Sequence, residues 1–255
     1  MKYIPLSNIK HINLAVREER NYLFASEQVL VEACLFELSE AISLAPIIFS
    51  KSKDGFKMCL LLGLEGNKNL FVNPEGQWMH SFIPAVLRVF PFKSAVSPDG
   101  KKFVCFQEGN NLLVSGDQGN RLFNDDGSAS QFFNAYLKLF SEIDASSERT
   151  KKACAILDDF NLLEPYTIDL KRPDGAPLKV TEQWRINQEA FLGLKDSQYL
   201  DLRGMLPMIY AHFFSLRSYY NLIQMMGMRE KSEATLKELG SKIFEYDDKG
   251  LEFNF

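Results

Sequence analysis

Histidine is the scarcest acid–base side chain in this 255-residue chain, present only as His11, His80 and His212. His212 lies in the apolar run Met205–Met226, with Ser215 three residues on and Tyr219 seven on. At helical spacing the three share a face, which suits a general base flanked by hydroxyls, or a metal ligand. The plainer and weightier reading is a hydrogen-bonded core histidine, or one that ties its helix to a sheet. His11, in a strand-like stretch, is the second and weaker catalytic candidate. His80, just after a turn at Gly76, suits a capping or surface position. His11, His212 and Glu37 together would supply the two imidazoles and carboxylate that hold non-haem iron. Their spacing does not bring them together, as an HExxH helix would. No metal or cofactor is therefore expected. The chain contains no GxSxG elbow and neither glycine-rich phosphate motif. Whether it is an enzyme stays open.

Recognition has better material. Between Trp78 and Phe92, the rings of Trp78, Phe82, Phe90 and Phe92 offer flat apolar area, and Arg88 offers a planar cationic fork suited to carboxylates. Such a wall fits a peptide terminus or a small organic acid. The competing and weightier reading puts these rings in the core and Arg88 on a nearby acid. Trp78, Phe82 and Arg88, with Ser215 and Tyr219, are the binding candidates. Asp125-Asp126-Gly127 could chelate a cation, but such a triplet more often turns the chain and caps the next helix.

Composition narrows the classes. Lys and Arg total 29 against 33 Asp and Glu, a net of −4. That balance disfavours a sequence-independent grip on nucleic acid, which needs a basic face. Hydrophobic residues make up 46%, enough for a substantial core and too much for a mainly disordered chain. No membrane span is expected, because Met205–Met226 is interrupted by His212, Ser215, Arg217, Ser218, Asn221 and Gln224. The opening Met1–Lys10 lacks the apolar stretch of a secretory leader, which reads as an unprocessed, cytoplasmic chain. Cys34, Cys59, Cys105 and Cys154 are widely spaced among apolar residues, the pattern of reduced core thiols.

The elements that must position these residues follow from periodicity. His11–Glu27 supplies one or two strands. Val31–Ala45 reads as a helix, with apolar residues at three- and four-residue steps, ended by Pro46. Ile47–Phe49 and Phe56–Leu64 form strands around an Asp54-Gly55 turn, the second apolar enough to be covered on both faces. Leu70-Phe71 leading to Gly76, and Leu122-Phe123 leading to Gly127, suggest a strand–strand–turn–helix unit used twice. Tyr166–Leu170 and Leu178–Ile186 form a hairpin around Pro173-Asp174-Gly175. Its second strand alternates through Val180, Glu182 and Trp184. Asn187 is a helix N-cap. Gly204–Met226 is expected to be the longest helix, with Pro207 in its first turn, central or interface-forming, and therefore a candidate homo-oligomer contact. Arg229–Leu239 reads as a short charged helix and Ser241–Phe255 as a final strand or tail. Strands and helices alternate without βαβ spacing. The fold class is therefore α+β, a mixed or antiparallel sheet of hairpin units covered by helices, with a long C-terminal helix.

These segments carry a resemblance. Leu62-Gly63-Leu64, Asn69-Leu70-Phe71-Val72, Gly76-Gln77-Trp78 and Ile83-Pro84-Ala85-Val86-Leu87-Arg88-Val89-Phe90-Pro91-Phe92 resemble the bacterial SapC family. Pro46–Phe49, Leu122–Gly127 and Ala211–Leu216 add to the likeness, in order over about residues 5–225. The resemblance implies one SapC-like domain over 1–255, with 227–255 an appended helix and tail. Family members carry surface-layer or peptide-transport labels, with no reaction, cofactor or catalytic residue to carry over. Lacking a leader or a span, this chain fits a cytoplasmic accessory role better than a surface-layer subunit or permease. Two hypotheses result. One is a binding protein for a peptide, a small acid or an envelope-system protein. The other is an enzyme with a divergent small-molecule site on His212, helped by Arg88 and His11.

Overall fold

The computed structural model describes residues 2–247, with side chains through residue 235. In chain order the elements are β1 (Tyr3–Pro5), β2 (Leu14–Val16), β3 (Leu30–Glu32), α1 (Leu38–Leu44), β4 (Ile47–Ser52), β5 (Gly55–Leu61) and α2 (Ala85–Arg88). There follow β6 (Phe92–Val96), β7 (Lys102–Gln107), β8 (Leu113–Ser115), β9 (Asn120–Arg121), α3 (Gln131–Asp159), β10 (Leu163–Lys171) and β11 (Pro177–Ile186). The last described elements are α4 (Gln188–Leu192), α5 (Asp196–Asp201), α6 (Leu206–Ser215) and α7 (Tyr219–Asp247). The strands form three antiparallel sheets, β10-β11-β4-β5-β3, β1-β7-β6 and β8-β2-β9. The fold is α+β, as the sequence pattern implies.

Two hydrophobic cores result. The larger is mainly aliphatic, gathering Ile47, Ile48, Met58, Leu60 and Leu62 from the five-stranded sheet region with Leu44, Leu157, Ile209 and Leu222 from the helices. Met58 through Leu62 are all buried, which fits a strand covered on both faces. The smaller core is mainly aromatic, with Phe92, Phe106, Phe123, Phe133, Tyr136 and Phe140 between the two three-stranded sheets and α3. α3 belongs to both. Phe133, Tyr136 and Phe140 recur at three- and four-residue steps on its first turns, and Ala153, Cys154 and Leu157 on its last. At 1.5 Å per residue its 29 residues span about 44 Å. Ser130 starts it, accepting the Phe133 N–H at 3.1 Å.

Several expectations need correcting. Val31–Ala45 is not one helix. Leu30, Val31 and Glu32 pair with Leu61, Leu60 and Cys59, so the sheet claims them before a 3-10 turn leads into α1. Nor is Gly204–Met226 continuous. The chain tightens to a 3-10 turn at Leu216–Ser218, where the Ser218 hydroxyl donates to the Ile42 carbonyl. α7 then runs through the stretch read as a separate Arg229–Leu239 helix. Of the strand or tail expected at Ser241–Phe255, residues up to Asp247 belong to α7 and the rest lie outside the described residues. α3 and α7, at 29 residues each, are longer than α6. Along β11 the alternation breaks at a bulge. Tyr166 pairs with Gln183 but Ile168 with Val180, and Glu182 takes a φ of 63°.

The suspected repeat is real at its turns. Asn73–Gln77 and Asn124–Ser128 make the same two backbone bonds, Asn N–H to the carbonyl four residues on and Gly N–H back to the Asn carbonyl. Each turn is flanked by one bridge, Val72–Trp78 or Phe123–Ala129. The structural register sets Phe71 against Leu122, one residue off the Leu-Phe match. Beyond the turns the likeness fails, because α2 has four residues and α3 has 29.

Candidate functional site

His212 is fully buried where α6 crosses the join of β4 and β11. The Ile186 N–H donates to Nε2 at 3.2 Å, so the proton sits on Nδ1, which donates to the Ile47 carbonyl at 2.7 Å. Ser215 completes the grip. Its Oγ accepts the Ile47 N–H at 2.8 Å and donates to the His212 carbonyl at 2.7 Å. Both backbone groups of Ile47 are therefore held by α6, and one ring spans two strands. Burial pushes the imidazole down to about 4, opposed by its bond to Ile47. Tyr219, the third residue of the set, donates to Gln183 and not toward His212. Burial, with Tyr166 adding, raises its phenol above the usual range.

The other histidines lie elsewhere. His11 accepts the Ser7 N–H on Nδ1 at 2.9 Å and sets its edge against Phe106, a member of the small core. His80 accepts the Phe82 N–H at 3.1 Å. Among the described residues no three His, Cys, Asp or Glu side chains gather for a metal ion. Asp126 binds back to Ser128 within its turn and Asp125 pairs with Arg121, while Ser130, not the acidic pair, caps α3. The four cysteines are free and buried, and burial pushes Cys34, Cys59 and Cys154 up to about 12, away from thiolate chemistry.

Arg88 ends α2, a helix of one turn that begins at Pro84 with no side-chain cap of its own. The cap comes from across the fold. Glu37 accepts the Ala85 N–H at 2.9 Å and 3.2 Å on its two oxygens, and Arg88 Nη2 reaches it at 3.4 Å. Glu37 is 3% exposed, and burial raises its carboxyl against the opposing pull of the Ala85 N–H and Arg88. Arg20 donates to the Arg88 carbonyl at 2.6 Å and also to the Tyr136 hydroxyl, joining α2 to α3. Trp78 donates from Nε1 to the Phe82 carbonyl at 2.8 Å and stacks on Phe71 at 5.6 Å. Phe82 packs on the large core, Phe90 stacks on Phe24 at 3.6 Å, and Phe92 is buried in the small core. The segment is thus a seam between the cores, with Leu87 in one and Val89 in the other.

A third place went unnoticed in the sequence. β11 pairs with β10 along one edge, but meets β4 only at Trp184–Phe49. Between Leu178 and Gln183 its second edge has no strand partner among the described residues. A cleft of about 800 Å³ opens there, lined by β11, Ser50 and Lys51 of β4, and the Gly63–Gly66 loop. Gln183 lines it, is 3% exposed, and has a buried amide nitrogen with no hydrogen-bond partner. Turning the amide over would only leave its oxygen unpaired instead. Lys51 lies over the Phe56 and Trp184 rings, at 5.1 Å and 4.9 Å from their centroids. Arg172 and Glu65 form an ion pair joining the β10–β11 hairpin to the opposite wall. A polar residue inside an otherwise alternating strand was the available signal, hidden because the bulge moves Gln183 inward and Glu182 outward.

An antiparallel α+β body, a helical clamp on its sheet join and an aromatic seam define the type of protein. The SapC family model matches residues 6–222, and the chain belongs to that family. No curated protein and no solved structure matches it.

Proposed function

We propose that this SapC-family chain is a binding or accessory protein of the cytoplasm, contacting a peptide, a small acidic ligand or a protein of an envelope, surface-layer or uptake system. The observation that supports this is the state of His212. Both ring nitrogens are spent on strand backbone and the ring has no solvent exposure, so it has neither a free lone pair nor a path for a proton. Arg88, the proposed helper of His212, is engaged with Glu37 and, among the described residues, shares no hydrogen-bond partner with His212. Its side chain keeps 41% exposure, so an acidic ligand can still reach it. Among the described residues no helix is long and apolar enough to cross a membrane, which fits a role without a span.

The same reading includes self-association and a single folding unit over 1–255. Tyr210 and Phe214 of α6 and Tyr220 of α7 are exposed rings on neighbouring turns, available to a second copy. Size-exclusion chromatography at micromolar concentration checks that part, and a monomer removes it. A thermal-shift screen over metals, nucleotides, amino acids and peptides tests the main reading. Stabilisation by peptides or small acids is expected. Stabilisation by a redox cofactor or metal alone overturns it.

A further inference from the structure

The cleft beside β11 leaves three needs unmet in one place. Among the described residues, the edge from Leu178 to Gln183 offers backbone donors and acceptors to no strand, over about 20 Å at 3.3 Å per residue. The Gln183 amide is buried with one end unpaired. Lys51 has ring contacts but, among the described residues, no carboxylate within 4.0 Å. A chain in extended conformation meets the first need, because edge strands accept a further strand through main-chain hydrogen bonds. An oxygen acceptor meets the second and an anion the third.

Shape fixes the direction. The cleft closes where Trp184 pairs with Phe49, and His212 locks the join just beyond. A strand entering from the open end must stop there, beside the Lys51 ammonium that lies over Trp184. A cation at a blind end selects the carboxyl terminus. Such a strand would run parallel to β11 and antiparallel to β4, the only orientation that brings its last residue to the closed end. The lining mixes apolar Leu30 and Leu64 with polar Ser50, Thr181 and Glu182, so alternate side chains of a strand meet different surroundings. The volume of about 800 Å³ suits a short peptide.

We propose that this cleft binds the carboxyl-terminal end of an extended peptide as an added strand on β11, its carboxylate received by Gln183 and Lys51. The proposal rests on the binding reading above and gives it a ligand class and a place.

The test uses the full chain, labelled with nitrogen-15, and an equimolar mixture of random octapeptides lacking Asp and Glu, so that the terminal carboxylate is the only anion. Chemical-shift changes are expected at Ser50, Lys51, the backbone of Leu178–Trp184 and the Gln183 side-chain amide. Amidating the peptides should weaken binding about tenfold, and N-methylating alternate backbone nitrogens should weaken it at least as much. Lys51→Gln, at an exposed position, should narrow the gap between free-acid and amidated mixtures while leaving the fold intact. Equal binding of acid, amide and N-methylated mixtures overturns the proposal. Shifts confined to Trp78–Phe92 overturn this site while the binding reading stands. An absence of shifts at millimolar peptide overturns the proposal and removes the peptide from the binding reading, which then rests on a small acid or a protein partner.

Discussion

The two cores solve the same problem with different chemistry. The large one is built from aliphatic side chains on long strands, and it admits polar groups: His212, Ser215, Asn69 and Glu37 are all buried, and each is bonded to backbone. The small one has strands of two to six residues, too short to bury much aliphatic area, and fills with rings instead. The difference teaches where polar side chains are tolerated inside. Each of these four stands where regular hydrogen bonding runs out. His212 and Ser215 replace ladder bonds at the β4–β11 join, Glu37 caps a helix that lacks a local cap, and Asn69 bonds the Ala25 carbonyl and the Phe71 N–H in a loop. An unmet backbone group there would cost more than the burial of these side chains.

That contrast is broken most directly by truncating one residue in each core. Phe133→Ala removes a buried ring and should cost about 3–5 kcal/mol. His212→Ala should cost a similar 3–5 kcal/mol, because it both opens a cavity and strands the Ile186 N–H and the Ile47 carbonyl. Urea titration followed by far-ultraviolet circular dichroism measures both. The comparison becomes sharper in the rescue. Phe133→Leu should recover part of the loss through apolar volume alone. His212→Leu should recover less, since the two backbone groups stay unpaired. Equal rescue at the two positions would mean that the clamp contributes nothing beyond its volume. Because α3 belongs to both cores, each variant should still unfold in one transition, and two separated transitions would show that the cores stand independently.

Acid separates the polar groups by sign. His212 has a folded-state value of about 4 against an ordinary 6.5, so the unfolded chain binds more protons between those limits. Its contribution is complete above pH 6.5 and is lost as pH falls through 4, about 3 kcal/mol for a shift of this size. Glu37 works in the opposite direction. Its folded-state value is raised above 4.5, so the folded form holds the extra proton, and its contribution is complete below 4.5 and fades as pH rises through the raised value. Stability from pH 7 to pH 4 should therefore fall less steeply than His212 alone dictates. Glu37→Gln should steepen that fall and His212→Gln should flatten it, read from denaturation midpoints at half-unit pH steps. Parallel profiles for all three proteins would refute the assignment.

How much of this was legible beforehand depended on whether the cause was local. The β4–β5 and β10–β11 hairpins were legible because Asp54-Gly55 and Pro173-Asp174-Gly175 encode their turns within a few residues. The N-cap at Asn187 was too, and its Oδ1 does accept the Ala190 N–H at 2.9 Å. The plainer expectation for His212, a core histidine tying helix to sheet, also describes what is observed. What failed was set from a distance. Val31 carries a helical pattern but pairs with Leu60, and Glu37, within that same pattern, serves Ala85, 48 residues away. The hint was there in the second segment. Ile83-Pro84-Ala85 starts a helix with no Ser, Thr, Asp or Asn to cap it, so the cap had to come from elsewhere. Gln183 was hidden by a bulge, whose extra residue shifts the alternation and moves a polar side chain from the outer face to the inner one.

The smallest effect belongs to the paired turns, one at the edge of each core. Asn21 donates to the Glu75 carbonyl at 3.1 Å and accepts the Leu23 N–H at 2.8 Å, while Asn8 donates to the Gly127 carbonyl at 3.0 Å. Asn21 is also the tighter fit: a Cβ at Gly76, whose φ is +83°, would lie 2.2 Å from its Oδ1, whereas at Gly127 the nearest atom of Asn8 is 3.5 Å away. Asn8 is exposed and Asn21 half-buried, so water replaces part of what is lost when either is truncated. Asn21→Ala should cost about 1 kcal/mol and Asn8→Ala about half that, from two hydrogen bonds against one. If the order is reversed, the similarity of the turns does not extend to how each is held, and the small core leans on its turn more than the large one does.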